Sequence, residues 1–245
     1  MRKFTRLIAV GLVLVSALTP ATAFGAGTGD DPRPTKDKPT KDTLAVQEDY
    51  KDWVARGEAP AIDTTLNRVI SEAVYRYYYT PTHAQERSYW CGPATVQTID
   101  DYWGATTTQS AIAGILGTTS AGTNFQLVDD ALRSLTGISY VVSPVCASTG
   151  DVYSQVQYGL LTRGHPAAAD VRIIGSVWNN YVYDHDGHII PIEAFDWRNM
   201  TIRINDPYSE ALYRTGGGQT LGHRTYPAWQ VADGVVRHWQ KVLVY

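Results

Sequence analysis

Cysteine is nearly absent from this chain: Cys91 and Cys146 are the only two in 245 residues. That excludes the multiply cross-linked scaffold of small secreted domains and leaves either one disulfide or a thiol kept for its chemistry. Neither sign of charge dominates. With 21 Lys and Arg against 24 Asp and Glu the net charge is -3, so neither nucleic acid nor an anionic membrane is expected as a partner. An apolar run of membrane-spanning length is also lacking. The one from Leu7 to Leu18 is well short of the roughly 20 residues that a bilayer requires, so no stable membrane insertion is expected. No internal repeat is visible. Methionine and phenylalanine are scarce, but a hydrophobic fraction of 44% with seven Trp and sixteen Tyr can build a packed core. The length suits one domain plus an appendage.

What is present at the start is the pattern of a secretory signal. Arg2, Lys3 and Arg6 precede the apolar run, and Thr19-Pro20-Ala21-Thr22-Ala23 closes it with small residues at a cleavage site. The expectation is an exported protein cut after Ala23. Residues 24–43, rich in Asp, Pro and Lys with almost nothing apolar, read as a disordered linker or the start of a propeptide. Apolar residues return at helical spacing from Leu44 to Gly57 and from Ile62 to Tyr79, with Ile62, Leu66, Val69, Ile70, Ala73, Val74 and Tyr77 on one face. Residues 44–79 are therefore expected as a helical extension, either structural cover or an inhibitory pro-segment, ahead of a domain over 80–245.

Chemistry enters at Tyr89-Trp90-Cys91-Gly92-Pro93-Ala94-Thr95. Pro93 suits a first helical turn, because its missing N–H has no intrahelical partner there. A helix from Pro93 to Trp103 would bury Ala94, Ile99 and Trp103 and set Cys91 at its N-terminus. Unpaired N–H groups and the positive end of the helix dipole favour a thiolate at such a place, below the ordinary thiol pKa of about 8.5. Gly92 leaves room for a substrate carbonyl. Acyl transfer also needs an oxyanion hole, and Gln85, a short way upstream, is a candidate donor beside the Cys91 backbone N–H.

A cysteine nucleophile needs an imidazole, and the imidazole needs an orienting group. His188 opens an apolar stretch to Phe195 that reads as a strand, Met200 to Pro207 reads as the next, and a hairpin turn falls near Trp197-Arg198-Asn199. In an antiparallel pair the start of one strand lies beside the end of the other, which brings His188 to Asn205 and Asp206. Asp206 is preferred as orienter because it is ionised and followed by Pro207; Asn205 is the alternative. Tyr183-Asp184-His185-Asp186-Gly187-His188 also admits a metal-binding reading, but no His-x3-His spacing or cysteine pair reinforces it. No metal or other cofactor is expected. His165, before Pro166, reads as structural.

These elements together resemble the family-39 cysteine peptidases. The matching residues, in family order, are Gln85, the Cys91-Gly92-Pro93-Ala94 helix start, Arg163-Gly164-His165-Pro166 before a strand, Gly187-His188 opening another, and Asn205-Asp206-Pro207 closing the next. The family includes papain-like domains that remove double-glycine leaders from bacteriocin precursors, together with a secreted, family-39-like branch. The resemblance spans His83 to Pro207. It implies a papain-like fold, Cys91 as nucleophile, His188 as general base and acid, Asp206 as orienter and Gln85 as oxyanion donor. The leader-removing domains are usually fused to a transporter and work in the cytosol, whereas this chain reads as exported, so the double-glycine substrate is not carried over. Pro191 and Glu193 also make the stretch after His188 less apolar than the family pattern.

Around the motifs, helices are expected over 107–116 and 124–135. Thr107 or Thr108 and Thr123 or Asn124 are their N-caps, and Gly117 and Gly137 their stops. A strand is expected over 138–142, a helix over 152–163, a strand over 166–173 and a terminal strand within 225–245. The fold class is α+β, helices first and a mostly antiparallel sheet after them. The function expected is that of a secreted, monomeric cysteine peptidase hydrolysing amide bonds of a peptide or protein substrate. A transpeptidase or cell-wall amidase using the same site is one alternative. A catalytically silent binding module, or a structural protein of the cell envelope, is the other, and a Cys91–Cys146 disulfide would favour it.

Overall fold

The structure, a computed structural model, describes residues 75–245. The export signal, the linker and the expected helical extension as far as residue 74 lie outside the described residues. At the centre is an antiparallel sheet of β1 (Tyr75–Tyr77), β2 (Ala167–Ile173), β3 (His185–Asp196), β4 (Thr201–Asp206), β5 (Gly222–Pro227) and β6 (Leu243–Val244). The strands run in the order β5-β4-β3-β2-β6, and β1 joins the C-terminal end of β3. Strand alternation sends Ala168, Ile189 and Val244 to one face and Ala167, Ala169, Val171, Ile190 and Ile192 to the other. The first face is covered by α1 (Cys91–Tyr102), α2 (Gln109–Leu116) and α3 (Val128–Thr136). The second is covered by α4 (Thr149–Gln157), which continues into a π-helical turn at Tyr158–Arg163, and by α6 (Ala228–Arg237); a short α5 (Glu210–Tyr213) follows β4. A helical layer carrying Cys91 against an antiparallel sheet carrying His188 is the papain-like α+β arrangement.

Local signals set the helix ends. The Thr108 side chain accepts from the Ala111 N–H at the start of α2, and Gly117 ends it at φ 60°. Asn124 caps the 3-10 turn Phe125–Leu127 that leads into α3, and Gly137 at φ 73° stops α3. α1 starts two residues before Pro93. Ala94 and Ile99 are buried as expected, but Trp103 lies past the helix end, partly exposed, with its indole N–H on the Tyr140 hydroxyl.

Other expectations are corrected by tertiary pairing. Tyr75–Tyr77, read as the end of a helix, is β1, because the edge of β3 offers ladder partners at Asp196, Phe195 and Ala194 and aromatic residues suit a strand equally well. Residues 138–142 form no regular strand: Val142 makes an isolated bridge to Val244, and Val141 exchanges N–H···O bonds with Tyr245. The C-terminal segment contains α6 between its strands, burying Ala228, Val231, Ala232 and Val235 at helical spacing. Glu193, the polar interruption in β3, is fully buried and tolerated because it is paired. It accepts from the Thr80 N–H and hydroxyl and from Arg203, and it pairs with His223. Those bonds pin the chain that leads to Gln85 and Cys91.

Candidate active site

Cys91 is the first residue of α1. No side chain caps that end and no acidic residue lies in its first turn, so the N–H groups and the positive dipole end act on the sulfur without local competition. The residue is 1% exposed. Gly92 is required beside it by a close approach: a Cβ there would lie 2.6 Å from Cβ and 2.7 Å from Cγ2 of Thr123. Thr123 is itself buried and bonded through its hydroxyl to Thr118 at 2.9 Å. Gly92→Ala is therefore expected to overpack this contact and destabilise the protein by about 1–3 kcal/mol, a drop of roughly 3–10 °C in Tm. An unchanged thermal midpoint would show that the 118–123 loop does not rest on the start of α1.

The pairing of β3 with β4 brings the start of one to the end of the other, and His188 Nε2 lies 2.7 Å from Asp206 Oδ1. Both side chains are fully buried. Asp206 also accepts from the Tyr208 N–H at 2.9 Å and from the Tyr181 hydroxyl at 2.5 Å. Asn205, the alternative orienter, is turned by the pleat to the other face. Its amide donates to the Thr80 carbonyl and hydroxyl, both at 3.0 Å, and its oxygen accepts from Thr82. His188 Nδ1 makes no well-formed hydrogen bond, yet the ring interacts with the Cys91 side chain. Burial alone would lower the His188 pKa, but the Asp206 charge and hydrogen bond, joined by Cys91, raise it to about 10. With Nε2 committed to Asp206, Nδ1 is the nitrogen left to exchange a proton with the sulfur.

Gln85 reaches the site differently from the oxyanion geometry expected of it. Its backbone is fixed by the Pro207 carbonyl at 2.8 Å and the Tyr213 hydroxyl at 2.6 Å. Its side-chain amide, however, donates to the carbonyls of Arg87 at 2.8 Å and Ser88 at 2.7 Å, while Oε1 is buried without a hydrogen bond. Both amide hydrogens are thus engaged by the turn that precedes Cys91.

No disulfide joins the two cysteines: Cys91 belongs to the core on one face of the sheet and Cys146 to the core on the other. Cys146 is fully buried, and burial pushes its thiol up to about 11. His185 is held at 3.1 Å by Glu210, which also accepts from the N–H groups of Val182, Tyr183 and Gly218. Among the described residues no group of three or more His, Cys, Asp and Glu is arranged to hold a metal ion. His165 is buried between Tyr140 and Trp103. Sequence reasoning passes over Tyr181, which sits in a loop without periodicity, and over Asp170. Asp170 is the one acidic residue of β2, whose other charged residue is Arg172.

A family model described as the Peptidase_C39 like family matches residues 75–226, starting at β1. Among curated proteins none matches the chain. Solved structures similar to this chain include the following two. Xylellain, a cysteine protease from Xylella fastidiosa, is 11% identical, with 72% of this chain and 87% of that one covered and a TM-score of 0.47. The peptidase domain of Streptococcus ComA, a bi-functional ABC transporter of a quorum sensing pathway, is 12% identical, with 69% and 97% covered and a TM-score of 0.45.

Proposed function

The chain belongs to the peptidase C39-like family, and from that premise we propose that it is an exported cysteine peptidase in which Cys91 attacks peptide amide bonds, His188 moves the proton and Asp206 orients the ring. The observation that carries this reading is the succession of contacts from Cys91 to His188 to Asp206, starting at an uncapped helix N-terminus. Nε2–H donates to Asp206 and leaves Nδ1 to take the thiol proton. The thiolate adds to the substrate carbonyl, and the oxyanion is met by N–H groups at the start of α1. A Gln85 amide hydrogen joins them once substrate draws it from a turn carbonyl. Nδ1–H then protonates the departing amine, leaving a thioester on Cys91, and on the second half-reaction Nδ1 takes a proton from the water that hydrolyses it. A transpeptidase or cell-wall amidase would use the same groups and differ in the acceptor or the amide chosen. Export is supported by the basic, apolar and small-residue succession from Met1 to Ala23.

The test is mass spectrometry of the mature, non-reduced protein after brief iodoacetamide treatment near neutral pH. Fast alkylation is expected at Cys91 and none at Cys146, whose thiol is buried and weakly acidic. His188→Ala should slow the Cys91 reaction about tenfold or more. A Cys91–Cys146 disulfide, or slow labelling indifferent to His188→Ala, would defeat the enzyme reading in favour of a binding module.

A further inference from the structure

Thr95 lies four residues after Cys91 in α1, one turn along the same side of the helix. A helical threonine commonly returns its hydroxyl to the carbonyl four residues back, as Thr136 does to Leu132 at the end of α3. The Thr95 hydroxyl instead reaches out of the helix and donates to the Ile189 carbonyl of β3 at 2.8 Å. Ile189 is the residue after His188, and Thr95 is fully buried where helix and strand meet. We propose, resting on the Cys91–His188 reading above, that Thr95 is a positioning residue: its hydroxyl ties the helix that carries the nucleophile to the strand that carries the base and so sets the separation of the two.

Apolar packing leaves that separation loosely defined. Val96 and Ile99 of α1 share a buried cluster with Ala168, Ile189 and Val244 of the sheet. Contact of this kind holds two layers together but is non-directional, so it opposes a small slide of one over the other only weakly. A hydrogen bond is confined to a narrow range of length and angle and adds the missing register. The strand ladders do not supply it at this point. Pairing of β3 with β4 runs from Ile192 to Asp196, and pairing with β2 changes register between Val171, which is opposite His188, and Ile173. Thr95 acts on the stretch of β3 between those limits. The demand for register is strict, because a displacement of about 1 Å between reacting groups can cost about a hundredfold in rate. Asp206 holds the His188 ring from Nε2 at 2.7 Å, so the two supports divide the task. The orienter turns the ring, and Thr95 brings the start of α1 to it.

The experiment measures the rate of Cys91 alkylation by iodoacetamide near neutral pH in the full chain, at a temperature where circular dichroism shows each variant folded. Thr95→Val keeps the shape of the side chain and loses the donor, and it should slow Cys91 by about fivefold or more. Thr95→Ser keeps the donor and leaves a methyl-sized gap, and it should stay within about twofold of the wild type. A role in packing alone predicts the reverse order. Cys146, in the core on the other face of the sheet, reports general loosening and should remain unlabelled. Adding His188→Ala to Thr95→Val should cost less than it does in the wild type, because the imidazole is already uncoupled from the sulfur. Slow Val, rescued by Ser, supports the proposal. Val at the wild-type rate, Ser as slow as Val, labelling of Cys146, or a full added cost of His188→Ala overturns it. If Val does not fold, Ser is compared with Thr95→Ala, which differs from it by the hydroxyl alone: a fivefold gap supports the proposal and equal rates overturn it. A wild type that does not alkylate at Cys91, or does so regardless of His188→Ala, defeats the parent reading instead, so the two failures are distinguishable.

Discussion

Cys91→Ala is expected to lower kcat/KM for peptide hydrolysis by about ten-thousand- to a million-fold, with little change in the thermal midpoint. The two effects separate because the sulfur contributes differently to each. In the fold it is a small buried group at the start of α1, and Ala preserves the helix and most of the packing. In the proposed reaction it is the atom that forms the covalent intermediate, and neither His188 nor Asp206 can replace it. Cys91→Ser is the closer steric match. It should be nearly as inactive, because a hydroxyl beside the same imidazole ionises far less readily than a thiol. The measurement is steady-state hydrolysis of a peptide library by wild type and variant at equal folded concentration. Equal turnover by wild type and Cys91→Ala would place the chemistry elsewhere in the chain.

Asp206→Ala is expected to reduce kcat/KM near neutral pH by about a hundred- to ten-thousand-fold and to move the alkaline limb of the rate profile downward. His188 is held at about 10 because Asp206, with Cys91, outweighs the burial that would lower it. In the proposed mechanism the imidazolium that stabilises the thiolate is therefore expected to persist up to that region in the wild type. Without Asp206, burial is opposed by Cys91 alone and the imidazolium is lost at lower pH. Stability follows the same sign. A histidine whose folded pKa lies above its unfolded value near 6.5 contributes stability fully below that value and loses it as pH rises through about 10. Asp206→Ala also leaves the Tyr181 hydroxyl and the Tyr208 N–H without their acceptor, so the midpoint must be followed alongside the rate. Asp206→Asn separates hydrogen bonding from charge: it retains an oxygen for Nε2–H and should fall between wild type and Ala in rate, with an alkaline limb that still drops. An alkaline limb that stays near 10 in Asp206→Ala would show that Asp206 does not hold the His188 proton.

Much of the site was legible because its determinants are local or follow from strand geometry. Pro93 after Gly92 announces a helix start wherever the rest of the chain goes, and the hairpin from His188 to Asp206 needs only two apolar runs and a turn to bring its ends together. Thr108, Asn124, Gly117 and Gly137 mark helix ends by the same local chemistry. The reading failed where a distant partner decided the outcome. The tyrosines of β1 satisfy a helical and an extended pattern alike until β3 offers a ladder. Between Asn205 and Asp206 the reading preferred the residue that does meet His188, and the pleat sends Asn205 to Thr80 instead.

The amino-acid sequence by itself determined the α+β class, a helix start that places Cys91 at its N-terminus and the pairing that joins His188 to Asp206, since each rests on periodicity, a first-turn proline or strand register within a short stretch. Tertiary structure alone decided that the cysteines lie on opposite faces of the sheet and that the Gln85 backbone is held between Pro207 and Tyr213. It also decided that Thr123 closes on Gly92. Those outcomes depend on which buried polar group finds which partner once the layers have packed, and chain order does not encode that choice, because desolvation forces each group to accept the nearest donor or acceptor the finished core presents.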